Sequence, residues 1–334
     1  MQAPALVEYV VEPNYAGWTL AAYVGEKIPR LLPHHIEKML RGKALVAPDG
    51  VQLLPETLVW PGLTFALRKR AIGDDGEPAP LHVIFDDGAL LIVEKPPYLA
   101  LHPTARYHLS TLTHALELHH RNAEGQKPDP AHRLDRDTSG LVACGRTPLY
   151  TTALKRAFAE RRVDKSYLAL VEGAPAEEHF VIEQPLIVGT ERVKVKVRID
   201  PAGAQSVTEC AVLSRHRDQA GRPLALIRCT PRTGRQHQLR VHLAAVGLPL
   251  VGDKLYGPDE GIFLRLVDSG LGPPAAGEWD SVITDAERAA LRLPRHALHA
   301  DELVVPHPTT GERLRFTSPL PDDFRSLIQA LLPA

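Results

Sequence analysis

An excess of charge of either sign is missing from this sequence: 39 lysines and arginines stand against 40 acids, for a net charge of −1. A uniformly basic coat, the usual footprint of a nucleic-acid binder, is therefore absent. Cysteine is scarce. Cys144, Cys210 and Cys229 lie far apart and form no C-x-x-C pair, which suggests neither a disulfide framework nor a zinc site. They read as small core residues. No apolar run approaches the ~20 residues of a membrane span. The opening MQAPALVEYVVEP has neither a basic leader nor a long apolar core, so no membrane association and a cytoplasmic location are expected. There is no Gly-rich nucleotide fingerprint and no G-K-[ST] phosphate loop, so no cofactor is implied.

What is present is a composition of 44% hydrophobic and 24% charged residues over 334 positions. That suits a globular chain of about two domains. The charges are segregated. Lys27, Arg30, Lys38, Arg41 and Lys43 cluster early, and Arg192, Lys194, Lys196 and Arg198 alternate along one stretch. Acids collect at Asp74, Asp75, Glu77, Asp86 and Asp87, and again between Asp259 and Glu287. Such segregation permits a local positive groove on a neutral protein.

Residues 17–70 read as a small unit. Leu20, Val24 and Ile28, then Ile36, Met39 and Leu40, recur at helical spacing on either side of Pro33, with Gly42 as a stop. Strands are expected at 44–47 and 63–67. The acidic, Gly- and Pro-containing AIGDDGEPAP at 71–80 reads as a linker. The expected domains are thus 1–70 and 81–334. In the second, LHVIF and ALLIVEK flank Asp86-Asp87-Gly88, and DKSYLALVEG, ERVKVKVRI, VTECAVL and LALIRCT are further strands. A helix follows Thr147-Pro148, burying Tyr150, Leu154, Ala157 and Phe158. Strands in succession without regular βαβ alternation indicate an α+β fold with a mixed or antiparallel sheet.

Two segments concentrate chemistry. PDPAHRLDRDTSGLVACGRT (128–147) packs His132, Arg133, Asp135, Arg136, Asp137, Thr138 and Ser139 into a loop before an apolar strand. Read alone, an aspartate between arginines is more often a structural ion pair. In TPRTGRQHQLRVHLAAVGLPLVGDKLYG (230–257), Thr233 and Gln236 fit a capping box that would begin a helix near Gly234. Leu239, Leu243 and Val246 would line its buried face, and Gly247 with Pro249 would end it. Arg235 would then face the positive helix pole, a conflict that a nearby carboxylate or phosphate would remove. A plain surface arginine remains the alternative. His237 and His242 are five apart with no carboxylate between, a poor metal pattern. If DKSYLALVEG is a strand, Lys165 and Tyr167 share a face and project either toward a site or into a core margin.

Taken together, HRLDRDTSG (132–140), KSYLALVEG (165–173), RTGRQHQLRVHLAAVGLPLVGDKLYG (232–257) and ALHADELVVPHPTTGE (297–312) resemble, in order, the motifs of the RluA-type RNA pseudouridine synthases. The resemblance covers residues 81–334. Residues 17–70 resemble the small RNA-binding domain named for ribosomal protein S-four, although Leu32-Pro33-His34-His35 stands where that domain has a Ser-Arg-Ser-like start.

The resemblance implies a mixed, largely antiparallel sheet with flanking helices and a central RNA cleft. It implies isomerisation of uridine in RNA by Asp135. Tyr167 would stack on the base and take the proton from its carbon 5, Arg235 would pair with Asp135, and Leu239 would form an apolar wall. Arg133 would fill the space left in the RNA stack, and Lys165 joins the substrate-binding set. The partner expected is RNA, large-subunit ribosomal RNA first and transfer RNA second, bound by a monomer without metal or cofactor. A non-catalytic RNA-binding factor of the same fold is a competing reading, and so is a glycosidase with Asp137 as its second carboxylate. The acidic stretch 258–294 is longer than the family's usual connection and has no assigned role.

Overall fold

The computed structural model describes residues 6–28, 33–41, 45–48, 51, 53–68, 78–103, 109–189, 196–257, 259, 261–263, 265 and 283–334. These fall into two compact units, the first within residues 1–75 and the second from 76 onward. Among the described residues no helix is long and apolar enough to cross a membrane.

In the first unit, strand β1 (Leu6–Val10) is followed by helices α1 (Leu20–Lys27) and α2 (Pro33–Arg41), then by β2 (Leu45–Val46) and β3 (Thr64–Arg68). The sheet order is β1-β3-β2, antiparallel throughout. Helix α1 begins where Thr19 Oγ1 accepts the Ala22 N–H, a standard N-cap. Its Leu20, Tyr23 and Val24 pack with Ile36, Leu40 and Phe65. The periodicity predicts both helices and the later strands; β1 goes unanticipated, because its apolar residues precede any turn signal. Of the early basic cluster, Lys27 is bound to Glu12 at 2.6 Å, and Arg41 to Glu37 and Glu56 at 3.2 Å each. Arg30, Gly42 and Lys43 lie outside the described residues, as do Arg192, Lys194, Asp74, Asp75, Glu77 and most of 71–80.

The second unit opens with a hairpin of β4 (His82–Asp86) and β5 (Leu90–Lys95), in which Asp87 Oδ1 accepts the Ala89 and Leu90 N–H groups. Helix α3 (Leu112–His119), β6 (Asp129–Pro130), β7 (Ser139–Gly145), α4 (Pro148–Ala159) and β8 (Asp164–Glu172) follow. Next come β9 (His179–Glu183), β10 (Leu186–Val188), β11 (Val197–Ile199), β12 (Val207–Arg217), β13 (Pro223–Pro231) and α5 (Gln238–Ala245). The chain ends with α6 (Asp285–Leu291), β14 (Leu298–Pro306), β15 (Arg313–Thr317), α7 (Asp322–Gln329) and β16 (Leu332–Pro333).

Eleven strands form one sheet with the path β16-β12-β13-β8-β14-β7-β5-β4. Only the β14–β7 pairing within it is parallel, so the expected α+β architecture with a mixed, largely antiparallel sheet is what the chain adopts. Both faces are covered. Leu91, Val93 and Val142 pack with α3 and α5, whereas Leu90, Ile92, Leu141 and Ala143 pack with Leu154 of α4. Two-sided burial explains why β5 and β7 read as unbroken apolar runs. Helix α4 is capped by Thr147, and its inward face is Thr151, Leu154 and Ala157, with Tyr150 and Phe158 only half-buried.

Two elements differ from expectation. Val246 is 45% exposed rather than buried, because α5 ends at Ala245 and Gly247, at φ 79°, turns the chain away. Within the acidic stretch, Thr284 and Glu287 form a reciprocal capping box that starts α6; residues 266–282 lie outside the described residues.

Gly140 fixes the junction between the His132–Ser139 loop and the sheet. It has φ 115°, and a Cβ there would meet the Ala300 carbonyl oxygen at 2.2 Å, where β7 lies beside β14. Gly140→Ala is expected to cost about 2 kcal/mol or more, lowering Tm by roughly 4–8 °C; a calorimetric Tm within 1 °C of the parent protein would contradict this (roughly, by the same scaling).

Candidate active site

The loop 131–138 between β6 and β7 is clamped at several points. Lys95, 0% exposed at the end of β5, donates to the carbonyls of Pro96, Leu99 and Arg136 at 2.8–2.9 Å. Burial pushes its ammonium down to about 7. His132 Nε2 accepts the Ala143 N–H at 3.0 Å, and its ring stacks on Phe158 at 4.5 Å. Thr138 Oγ1 meets His296 Nε2 at 2.8 Å. Arg136 holds the Asp137 carboxylate at 2.8 Å, and Arg295 donates to the Asp137 carbonyl. A loop restrained this way holds Asp135 in a defined position.

Asp135 enters a cavity of about 440 Å3. Leu134, Tyr167, Leu239 and Leu298 supply apolar walls, while Arg133, Lys165 and Arg235 also line it. Arg133 and Arg235 are exposed, Lys165 is half-buried, and Tyr167 and Leu239 are buried. All six residues singled out in the sequence (Asp135, Tyr167, Arg235, Leu239, Arg133 and Lys165) therefore share one cavity, although over 100 positions separate the first from the last. Asp135 is the sole carboxylate among the described cavity-lining residues. Asp137 is absent from that lining, which removes the second flanking carboxyl that a glycosidase requires.

The partner of Asp135 is Arg240, not Arg235. Arg240 Nη1 lies 3.2 Å from Asp135 Oδ2, and the same guanidinium grips Asp253 through Nε and Nη2 at 2.7 and 2.9 Å. Asp253 Oδ1 also accepts the Leu255 and Tyr256 N–H groups. The second contact to Asp135 Oδ2 comes from His237 Nε2 at 3.8 Å. Both contacts fall on Oδ2, and Oδ1 has no hydrogen-bond partner among the described residues. Burial pushes the Asp135 carboxyl up, but the positive field of His237 and Arg240 and the Arg240 hydrogen bond outweigh it, holding the group below the usual 3.8. His237 is itself pushed down to about 4 by burial and by Arg240. His237 therefore adds its positive field only in acid, where it is protonated; at neutral pH it is uncharged and the charge beside Asp135 is that of Arg240.

The reason Arg235 falls short is local. The Thr233–Gln236 capping box does not form; Thr233 Oγ1 donates instead to Gln238 Oε1, which also accepts the Arg235 N–H. Helix α5 starts at Gln238, after His237 in the left-handed region at φ 52°. Arg235 thus precedes the helix, and the expected conflict with its positive pole does not arise. Sequence reasoning missed Arg240, His237, Asp253 and Tyr256. A signal was present: an arginine amid LRVHLAAVG is affordable only with a counter-charge, and LPLVGDKLYG supplies one in Asp253.

Burial and the nearby Asp135 carboxylate push the Tyr167 phenol well above its ordinary value of 10. It offers the cavity a flat neutral ring. Among the described residues no group of three or more histidine, cysteine or acidic side chains could hold a metal ion. His242 is bound to Thr208 and to the Gln184 carbonyl, away from His237.

A carboxylate fixed by an arginine, beside a buried tyrosine in a cavity edged by cations, is the arrangement that the motifs imply, and comparison with known proteins agrees. Residues 89–245 match the family model described as RNA pseudouridylate synthase. "Ribosomal large subunit pseudouridine synthase D" of Nitrosomonas europaea is 31% identical over 97% of this chain and 88% of its own. The Pseudomonas aeruginosa protein of that name is 33% identical over 90% of this chain and 89% of its own. The solved structure of human RNA Pseudouridylate Synthase Domain Containing 1 superposes with a TM-score of 0.55 at 26% identity, covering 76% of this chain and 89% of that one. This chain belongs to the RNA pseudouridine synthase family, and is an isomerase acting on RNA.

Three neutral histidines bind this site and its loop to the fold. Burial pushes His132 and His296 down to about 3 and His237 to about 4. In the unfolded chain each titrates near ~6.5. Between those values the unfolded state binds protons that the folded state does not, so stability rises with pH in that window and is lost as pH falls from about 6.5 toward 4. Each group contributes about 1.4 kcal/mol per pH unit. Urea unfolding is expected to show a loss on the order of 3 kcal/mol between pH 6 and pH 5; equal stabilities at the two pH values would contradict the assignment.

Proposed function

We propose that this chain converts specific uridines of large-subunit ribosomal RNA to pseudouridine, with Asp135 as the reacting carboxylate. The observation that carries the reading is the single carboxylate among the described cavity-lining residues, held by Arg240 through Oδ2, with no hydrogen bond to Oδ1 among the described residues. The choice of RNA is supported by the names of relatives 31–33% identical over most of the chain.

A uridine within folded RNA must be extruded before it can be rearranged, at a cost of a few kcal/mol. Stacking on the buried Tyr167 ring returns ~1–3 kcal/mol of that cost, and Leu239 contributes to the apolar wall. Asp135 drives release of the bond between N1 of the base and the sugar. The freed uracil turns within the cavity, carbon 5 joins the sugar, and the proton on carbon 5 leaves while N1 takes one up. Nothing is gained or lost overall, so the reaction needs no redox or group-transfer cofactor. A phenol held neutral is a poor base, so the role assigned to Tyr167 is stacking. The exposed Arg133 and Arg235, with Lys165, suit the phosphates that flank an extruded nucleotide.

Residues 1–70 are proposed to be a small RNA-binding module joined by 71–80 to the catalytic domain 81–334. The protein is proposed to act as a monomer, and ribosomal RNA as substrate suits a cytoplasmic location.

Incubating the purified protein with unmodified ribosomal and transfer RNA, without added metal or cofactor, and mapping pseudouridine chemically tests the reading. The expected result is modification at defined uridines of large-subunit RNA. Asp135→Asn is expected to lower the rate by about 10³-fold or more while RNA binding persists. Modification of transfer RNA alone would overturn the substrate. Release of free uracil, or a fully active Asp135→Asn, would overturn the reaction or the residue.

A further inference from the structure

His237 stands against the catalytic carboxylate in a way that its place in the fold does not require. It occupies the N-cap position of α5 yet makes no side-chain cap, and it adopts φ 52°, ψ 15° without being glycine. A non-glycine residue in the left-handed region persists only where its surroundings hold it, and such residues cluster at functional sites. The ring, 11% exposed, packs edge-on to Tyr256 at 5.7 Å between centroids.

Its hydrogen bonds fix where its proton is. The Val197 N–H donates to the Tyr256 hydroxyl at 2.8 Å. The hydroxyl's own proton then goes to its other partner, His237 Nδ1, at 2.9 Å. With Nδ1 accepting, the neutral ring carries its hydrogen on Nε2. That atom faces Asp135 Oδ2 at 3.8 Å, the oxygen that Arg240 also contacts. The charged groups around the ring are Asp135, Arg240, Asp253 and Arg133.

We propose that His237 is a positioning residue for the reacting carboxylate: the Val197–Tyr256 relay sets its tautomer, and its Nε2–H, with Arg240, restrains Oδ2 so that Oδ1 is the oxygen presented to substrate. The separation is longer than a hydrogen bond, and the proposal requires it to shorten in the complex with RNA, as catalytic hydrogen bonds commonly do. This inference rests on Asp135 as the reacting group.

The test is single-turnover kinetics on the RNA that the wild-type protein modifies. Asparagine tolerates the left-handed backbone but is too short to carry an N–H to the Nε2 position, whereas the glutamine amide reaches it. His237→Asn is expected to fold normally and to lower the rate at saturating RNA by about 10–100-fold, with the RNA concentration for half-maximal rate changed by no more than about 3-fold. His237→Gln is expected to recover most of that rate. Tyr256→Phe, which leaves the ring free to change tautomer, is expected to fall between the two, and nitrogen NMR is expected to show the Nε2–H form in the wild type and a mixture in this variant. A His237→Asn rate within about 2-fold of wild type, or equal losses in the Asn and Gln variants, would overturn the proposal. Wild-type protein that modifies no RNA would instead overturn the function from which it starts, so the two failures are told apart.

Discussion

One guanidinium, that of Arg240, is shared by the buried Asp253 carboxylate and the half-buried Asp135 carboxylate, and the rest of the site is arranged around it. Asp253 takes two of its N–H groups and two backbone N–H groups besides, which satisfies a charge that could not otherwise be buried. Only then is a third N–H left for Asp135. The pair Arg240–Asp253 is therefore the fixed end of the device and Asp135 its working end. Removing the arginine would strand two carboxylates in an environment that disfavours both, so one residue serves folding and chemistry together. The arrangement also explains why Asp135 can be largely out of water and still ionised: burial raises its pKa, and the positive charge beside it overcomes that rise.

Around that chain the protein places polar groups that carry little charge. Lys95 spends its N–H groups on three carbonyls, one of them that of Arg136 within the loop. His132, His237 and His296 are neutral and act as hydrogen-bonding spacers. Ordering the loop before substrate arrives removes a reorganisation cost that the reaction would otherwise carry. The cations that can meet phosphate, Arg133 and Arg235, are exposed, where their charge is screened and adaptable. This division suits a substrate whose backbone needs only neutralising and whose reacting base needs exact placement.

Much of this was legible in the sequence, for reasons that differ by element. Helix α4 follows from Thr147-Pro148, and the strands of the sheet from their apolar runs, because those features are local. The loop at 132–140 is legible from its density of ionisable groups, and the resemblance of four motifs brings Tyr167 and Arg235 to the same place. What was not legible is pairing. Arg235 and Arg240 both precede or open α5, and only the backbone turn at His237 decides which reaches Asp135. That turn depends on the Gln238 side chain, which takes the bonds that a Thr233–Gln236 capping box would have used. Capping-box chemistry is legible at Thr284–Glu287, where the Thr-x-x-Glu spacing within an acidic stretch starts α6. Strand β1 is set by its register with β3, a long-range fact that five residues cannot announce.

The central claim is that Arg240 keeps the Asp135 carboxyl ionised in spite of burial. Carbon-13 NMR of protein labelled at the aspartate side-chain carboxyl carbon measures this directly, with the Asp135 signal assigned by its loss in Asp135→Asn. The account predicts that the signal stays predominantly at the carboxylate position down to pH values near the ordinary 3.8. A midpoint clearly above that value in the folded protein would mean that burial wins over Arg240 and over His237, which is itself protonated near that pH.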